Sequence, residues 1–227
     1  MPVSSVIAID GPAGAGKSIV SSRLAAELGY LYLDTGAIYR AVTLLARRRG
    51  LSLDDEARLA ELAAQADIKV VAGGPSDGRQ YTVLVDGEDV TWSLFTPDVD
   101  AAVSRVSACP SVRQALLPLQ RRLARRRAVV AGRDIGTVVL PNADLKIYLD
   151  ASPEVRARRR HSQLKEQGVA ADYDTILAGI LSRDRLDSER EVAPLRPAPD
   201  AVIINTDDLS IEDELRIILE LCRGGGS

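Results

Sequence analysis

Eight residues near the start of the chain, Gly11-Pro12-Ala13-Gly14-Ala15-Gly16-Lys17-Ser18, leave few folds open. They fit G-x-x-x-x-G-K-[ST], a loop whose glycines let successive backbone N–H groups face phosphate oxygens. The apolar run at 5–10 before it suits a buried parallel strand, and 18–28 after it has helical character. Strand, glycine loop and helix in that order is the context a phosphate loop requires, and the helix adds the partial positive charge of its N-terminus. Lys17 is expected to reach the β- and γ-phosphates of a nucleotide, and the Ser18 hydroxyl to coordinate Mg²⁺. The loop through Ile19 is therefore the expected ATP site.

The remaining composition narrows the chemistry. The single histidine, His161, argues against a histidine-rich metal site and a Ser-His-Asp hydrolase. Cys109 and Cys222 have no metal-ligand or redox spacing and read as reduced, structural residues. A net charge of −3 disfavours generic nucleic-acid binding. No apolar run approaches the roughly 20 residues of a membrane span, and no basic leader precedes a cleavage site. A cytoplasmic monomer without nucleic-acid or membrane partners is expected. Of the 29 basic residues, four are lysines and 25 arginines. A codon bias accounts for such a total, so only the positions of particular arginines carry weight.

Along the chain, 31–33 reads as a second strand, and Thr35 as the cap of a helix reaching Arg49 with Gly50 as its stop. A helix is expected over 54–66. The period then changes: 68–71, 81–85 and 90–92 look like short strands, punctuated by glycine-rich turns at 73–78 and 86–87. Helices return at 98–108 and 111–127, the second kinked or interrupted by Pro118. Strands at 129–131, 145–149 and 201–205 alternate with helices at 154–167 and 173–190 and a last one from Ser210 to Cys222. This is an α/β pattern: a parallel sheet flanked by helices, with a small antiparallel β insert and a helical lid. Ligands in such folds sit beyond the carboxyl ends of the strands. Asp10/Gly11, Asp34/Thr35, Gly132/Arg133 and Asp150 all fall at such ends.

A phosphate loop specifies nucleotide binding and not a reaction. The N-K-x-D and D-x-x-G elements of a GTPase switch are absent from the sequence. A small-molecule kinase needs arginines to hold two anionic ligands together, and this chain places arginines at several strand and helix ends.

Three further motifs carry a resemblance. Asp34-Thr35-Gly36-Ala37-Ile38-Tyr39-Arg40, Gly132-Arg133-Asp134-Ile135-Gly136-Thr137-Val138, and the stretch from Arg183 to Arg190 followed by Val192-Ala193-Pro194-Leu195 resemble bacterial cytidylate kinases. The insert at 67–95 resembles that family too, and the likeness runs in order from Val6 to about Leu221. It implies transfer of a phosphoryl group from ATP to CMP or dCMP, with Mg²⁺. It implies a core at 1–66 and 96–223, an insert at 67–95 that closes over the monophosphate, a lid at about 156–174, and a disordered tail at 224–227. By this likeness Thr35, Tyr39, Arg40 and Arg133 lie around the acceptor phosphate. Ser104, Arg113, Asp134 and Arg190 frame the cytosine, Arg183 and Asp187 hold the sugar and phosphate end, and Arg158 or a neighbour meets the transferred group. Lys17, Arg133 and Arg158 are then the expected catalytic residues. One departure stands out: the family often carries Asp before Gly-Arg-Asp, where this chain has Ala131. Asp134 and Asp150 are left as candidates to act behind the metal.

Overall fold

Apolar runs buried on both faces become the central sheet. The computed structural model describes residues 5–125, 127–166 and 168–224. Strands β1 (Val6–Asp10), β2 (Leu31–Asp34), β6 (Ala128–Ala131), β7 (Leu145–Asp150) and β8 (Val202–Asn205) pair in parallel in the order β2-β6-β1-β7-β8. The register sets Ile9 beside both Ala131 and Ile147, and Asp34 beside Ala131. Ile7, Ala8 and Ile9 on the central strand are fully buried, as expected for a strand covered on both faces. Helices α1 (Lys17–Leu28), α2 (Thr35–Arg48), α3 (Glu56–Gln65), α4 (Pro97–Ala108), α5 (Pro110–Leu123), α6 (Pro153–Glu166), α7 (Tyr173–Glu189) and α8 (Ile211–Gly224) surround it. No helix among the described residues is long and apolar enough to cross a membrane.

The antiparallel insert forms as β3 (Ile68–Ala72), β4 (Tyr81–Val85) and β5 (Glu88–Asp89). The third strand lies at Glu88–Asp89 and not at the expected 90–92, and a local side-chain turn is the reason. The Asp89 carboxylate accepts from the Thr91 N–H and hydroxyl, and the Thr91 Oγ1 then accepts from Val83 N at 2.9 Å. A side chain thus takes over a ladder bond, and the chain enters a 3-10 turn, Trp92–Phe95. Arg79 clamps the insert, pairing with Asp77 and Asp89 while its guanidinium lies near the Trp92 ring.

Two other expectations are corrected. Asp34, not Thr35, caps α2, accepting from Gly36 N at 2.9 Å. Helix α5 runs through Pro118 without interruption, with buried Leu116 and Leu119 on either side holding it to the core. Near the end of α5, Arg121 donates to the carbonyls of Val138 and Val139. Of the expected tail, Gly224 closes α8 and 225–227 lie outside the described residues.

Helix α8 packs on α1 and turns Glu214, Ile218 and Cys222 inward, at the spacing of one helical face. Glu214 is fully buried, and neither carboxylate oxygen has a partner among the described residues. Burial lifts it to about 7, opposed by the charge of Arg159. An acid raised above its unfolded value holds a proton that the unfolded chain has released. Its contribution to stability is therefore complete below about 4.5 and lost as pH rises towards about 7. Glu214→Gln is expected to stabilise the protein above pH 7 by up to about 3 kcal/mol, with the gain shrinking towards pH 4.5. Thermal melts of both proteins across that range check it. A gain that does not depend on pH contradicts it.

Candidate active site

The C-terminal ends of β1, β2, β6 and β7 converge on the phosphate loop. Gly11 has φ 148°, and a Cβ there would lie 2.1 Å from the Leu149 carbonyl oxygen, so only glycine lets the loop leave β1 past β7. Gly16 has φ 88° and caps α1 with no side-chain hydrogen bond, leaving the helix N-terminus for an external anion. These features fit a polyphosphate. Lys17 is buried and folds back so that Nζ donates to the Pro12 carbonyl at 2.6 Å. Burial, then the charge of Arg133, pulls its pKa well below the usual lysine value. A cation held under those penalties gains when an anion arrives.

Ser18 is exposed at the head of α1, where its hydroxyl can reach a metal. Among the described residues no three His, Cys, Asp or Glu side chains gather into a metal-ligand group. That donor set fits a Mg²⁺ held mostly by phosphate oxygens and water, with Ser18 as the protein ligand.

Behind the loop lies Asp10. It accepts from Ile135 N at 2.8 Å and Gly136 N at 2.7 Å, tying the end of β1 to a π-helical turn, Ile135–Val139. Burial raises its pKa to about 6 against the pull of those two N–H groups. The strand-end position of Asp10 was the available signal for it, although no motif marks it as a site residue. At the neighbouring strand end, the Thr35 hydroxyl donates to the Ala131 carbonyl at 3.0 Å. A Cβ on Gly132 would strike Thr35 Oγ1 at 2.6 Å, which accounts for glycine there. Asp34 sits in register with Ala131 and favours the charge on Lys17, so a carboxylate remains beside the position where the family often has one.

The residues expected on the acceptor side come together in two groups. In the first, Asp134 is buried between two arginines. Its carboxylate accepts from Arg113 Nη2 and lies 3.7 Å from Arg190 Nη2. The Arg113 guanidinium lies 5.2 Å from the centroid of the buried Tyr39 ring, and its Nη1 donates to the Ser107 carbonyl. Ser104 is half-buried one turn earlier on α4, its carbonyl accepting from the Ser107 hydroxyl. In the second group, Asp187 accepts from Arg133 Nε at 3.0 Å and lies 3.7 Å from Arg190 Nη1. Arg190 is not helical: it follows α7 with an extended backbone and still reaches Asp187. Arg183 lies mostly buried, its Nε without a partner among the described residues. Burial and then Arg133 push its pKa down, and Arg40 adds to that repulsion. Arginines that repel one another in a cleft are arranged for an anion.

The lid side differs from expectation in one residue. Arg158 is exposed and has no side-chain hydrogen bond or ion pair among the described residues. Arg156 is the buried one: it donates to the Ala13 carbonyl of the loop and pairs with Asp184 of α7. Successive helical residues point different ways, so Arg156, Arg158, Arg159 and Arg160 cannot all face inward at this point; Arg159, three residues on from Arg156, donates to Thr206 instead. A cleft of about 380 Å³ opens there, lined by Pro12, Asp150, Arg156, Asp184, Asn205 and Asp207 among others. Asp150 lies on its wall, its side chain accepting from Ala151 N. Arg156 and Asp184 line this cleft, and the motifs singled out neither.

The chain is also similar to known proteins. A family model described as cytidylate kinase matches residues 7–224. A cytidylate kinase from Chloroflexus aggregans is 49% identical over 96% of this chain and 94% of its own length. One from Rhodococcus jostii is 49% identical over 98% of the chain and 96% of its own. A bifunctional pantoate ligase/cytidylate kinase from Synechococcus elongatus is 52% identical over 97% of this chain. The chain spans only 42% of that bifunctional relative. With a full-length family match and near-full-length relatives close to half identical, this chain belongs to the cytidylate kinase family.

Proposed function

We propose that this chain transfers the γ-phosphoryl group of ATP to CMP and dCMP, giving ADP and CDP or dCDP. The observation that carries the reading is the pair of buried carboxylates, Asp134 and Asp187, each between arginines, beside a phosphate loop whose lysine is itself buried. Such a site can hold two anionic ligands end to end.

The protein has little covalent chemistry to perform in phosphoryl transfer; it positions and stabilises charge. Lys17 and the loop of Gly11, Pro12, Ala13, Gly14, Ala15, Gly16, Ser18 and Ile19 hold the ATP phosphates, through backbone N–H groups at every position but Pro12. Ser18 would hold Mg²⁺, which would supply charge neutralisation at the phosphates. Arg40, Arg133 and Arg183 hold the acceptor phosphate, and Thr35 and Tyr39 shape the pocket. Asp187 accepts from ribose hydroxyls, while Arg113, Asp134, Arg190 and Ser104 face the cytosine. Cytosine suits that set because it offers an amino donor to a carboxylate and a carbonyl and ring nitrogen to arginine. Arg156, already against the loop, joins Arg158 as a candidate to meet the transferring group from the lid. The insert at 67–95 and the lid at about 156–174 close over the ligands, because an open site would let water take the phosphoryl group. The active unit is a cytoplasmic monomer with no nucleic-acid or membrane partner.

An ADP-release assay against CMP, dCMP, UMP, AMP and GMP tests the reading. CMP and dCMP are expected to support the highest kcat/KM. Preference for a purine monophosphate, or no turnover with any of them, contradicts it.

A further inference from the structure

Arg40 is engaged by three groups of the protein itself. Its Nη1 donates to the Leu94 carbonyl at 3.0 Å and lies 2.6 Å from Asp100 Oδ1. The Phe95 ring packs on the same guanidinium, with Cζ 5.1 Å from the ring centroid. All three partners belong to the stretch that joins the insert to α4: Leu94 and Phe95 in the 3-10 turn, Asp100 in the first turn of α4. Arg40 itself comes from α2 of the core.

The two carboxylates that pair with Arg40 and Arg133 are not alike. Asp187 is buried, accepts from Arg133, and its backbone carbonyl accepts from Leu195 N. Asp100 pairs only with Arg40 among the described residues, and its side chain is 43% exposed against 15% for the arginine. Both carboxylates favour the charge on Arg183, which Arg133 and Arg40 oppose. An incoming anion can therefore replace Asp100 at little cost, but not Asp187. The released carboxylate is not stranded: it lies in water at the N-terminus of α4, where negative charge is favoured.

The geometry points to Asp100 as a resident carboxylate that competes with the acceptor phosphate for Arg40 and so sets the affinity for the acceptor. This inference rests on the proposal that Arg40 belongs to the acceptor-phosphate site. A phosphate monoester carries roughly −1.5 to −2 charges at pH 7 and three acceptor oxygens, so it displaces a single carboxylate. The displacement still subtracts from binding, and removing the competitor restores what it subtracts.

The test compares the intact protein with Asp100→Asn, Asp100→Ser and Arg40→Ala. KM is measured for CMP and for ATP, and inorganic phosphate is titrated as a competitor of CMP. Both Asp100 substitutions are expected to lower KM for CMP by about two- to fivefold, the span of a partly exposed ion pair. Inorganic phosphate is expected to inhibit at concentrations lower by a similar factor, while KM for ATP stays the same. Asp100→Ser, which retains a helix-starting residue, serves if the amide disturbs α4. An unchanged or raised KM for CMP, with phosphate inhibition unchanged, overturns the inference and makes Asp100 inert or a productive support for Arg40. If Arg40→Ala also leaves KM for CMP unchanged, the acceptor-site reading fails. If Arg40→Ala raises it and the Asp100 variants do not lower it, the competition alone fails.

Discussion

Lys17→Ala is expected to lower kcat by about 10³-fold or more while leaving the fold intact. The lysine is buried, yet it packs over the loop and not in the apolar core, and its single side-chain bond runs to the Pro12 carbonyl. Losing that bond costs about 1 kcal/mol. Removing a cation that burial and Arg133 already disfavour offsets part of that cost. Stability therefore changes little. On the proposed mechanism the transition state loses a positive charge from the phosphate loop, in a site where charge counts for far more than in water. Single-turnover kinetics together with a thermal melt separate the two effects. A variant that melts normally and turns over at near the normal rate contradicts the role given to Lys17.

Asp134→Ala is expected to be the most destabilising substitution at the site, by about 3–5 kcal/mol. Asp134 and Arg113 are both buried, and Arg190 approaches the same carboxylate. Without Asp134, Arg113 loses its carboxylate and Arg190 keeps only that of Asp187 at 3.7 Å among the described residues, while burial and then Arg113 already push the pKa of Arg190 down. For a chain of this length the loss corresponds to a fall in Tm of about 10 °C. Asp134→Asn keeps an acceptor oxygen without the charge and is expected to lose less. KM for CMP rises in both variants, and saturating CMP restores part of the lost Tm, because the ligand binds only the folded protein. A loss below about 1 kcal/mol contradicts the view that this carboxylate neutralises both arginines.

What was legible beforehand follows from how local each signal is. The phosphate loop, the order of strands and helices, and the insert could be read because apolar period, glycine spacing and turn residues are local properties of the chain. The N-cap of α2 was misassigned by one residue because Asp34 and Thr35 both have capping side chains; tertiary contact decides, sending the Thr35 hydroxyl across to Ala131. Pro118 does not break α5 because the buried leucines flanking it outweigh one missing hydrogen bond. The third strand of the insert shifted because Thr91 and Asp89 form a turn whose bonds compete with the ladder. Asp10 could be placed at a strand end, but its two N–H partners lie about 125 residues away in the chain. Arg156 and Arg158 look alike in the sequence. Only the approach of α6 to the loop carbonyl of Ala13 distinguishes them. Asp100 had no signal, since its partner Arg40 belongs to another helix.

The most direct measurement is to identify the products when the purified protein is mixed with ATP, Mg²⁺ and CMP. Anion-exchange chromatography with ultraviolet detection separates CDP, ADP, CMP and ATP, and a molybdate assay on the same sample measures free phosphate. The expected result is CDP and ADP formed in equal amounts, with no free phosphate above the level seen without CMP, and no CDP from the Lys17→Ala protein. ADP and free phosphate without CDP would show a site that hydrolyses ATP, and would contradict the acceptor site built here from Arg40, Arg133, Asp134 and Asp187.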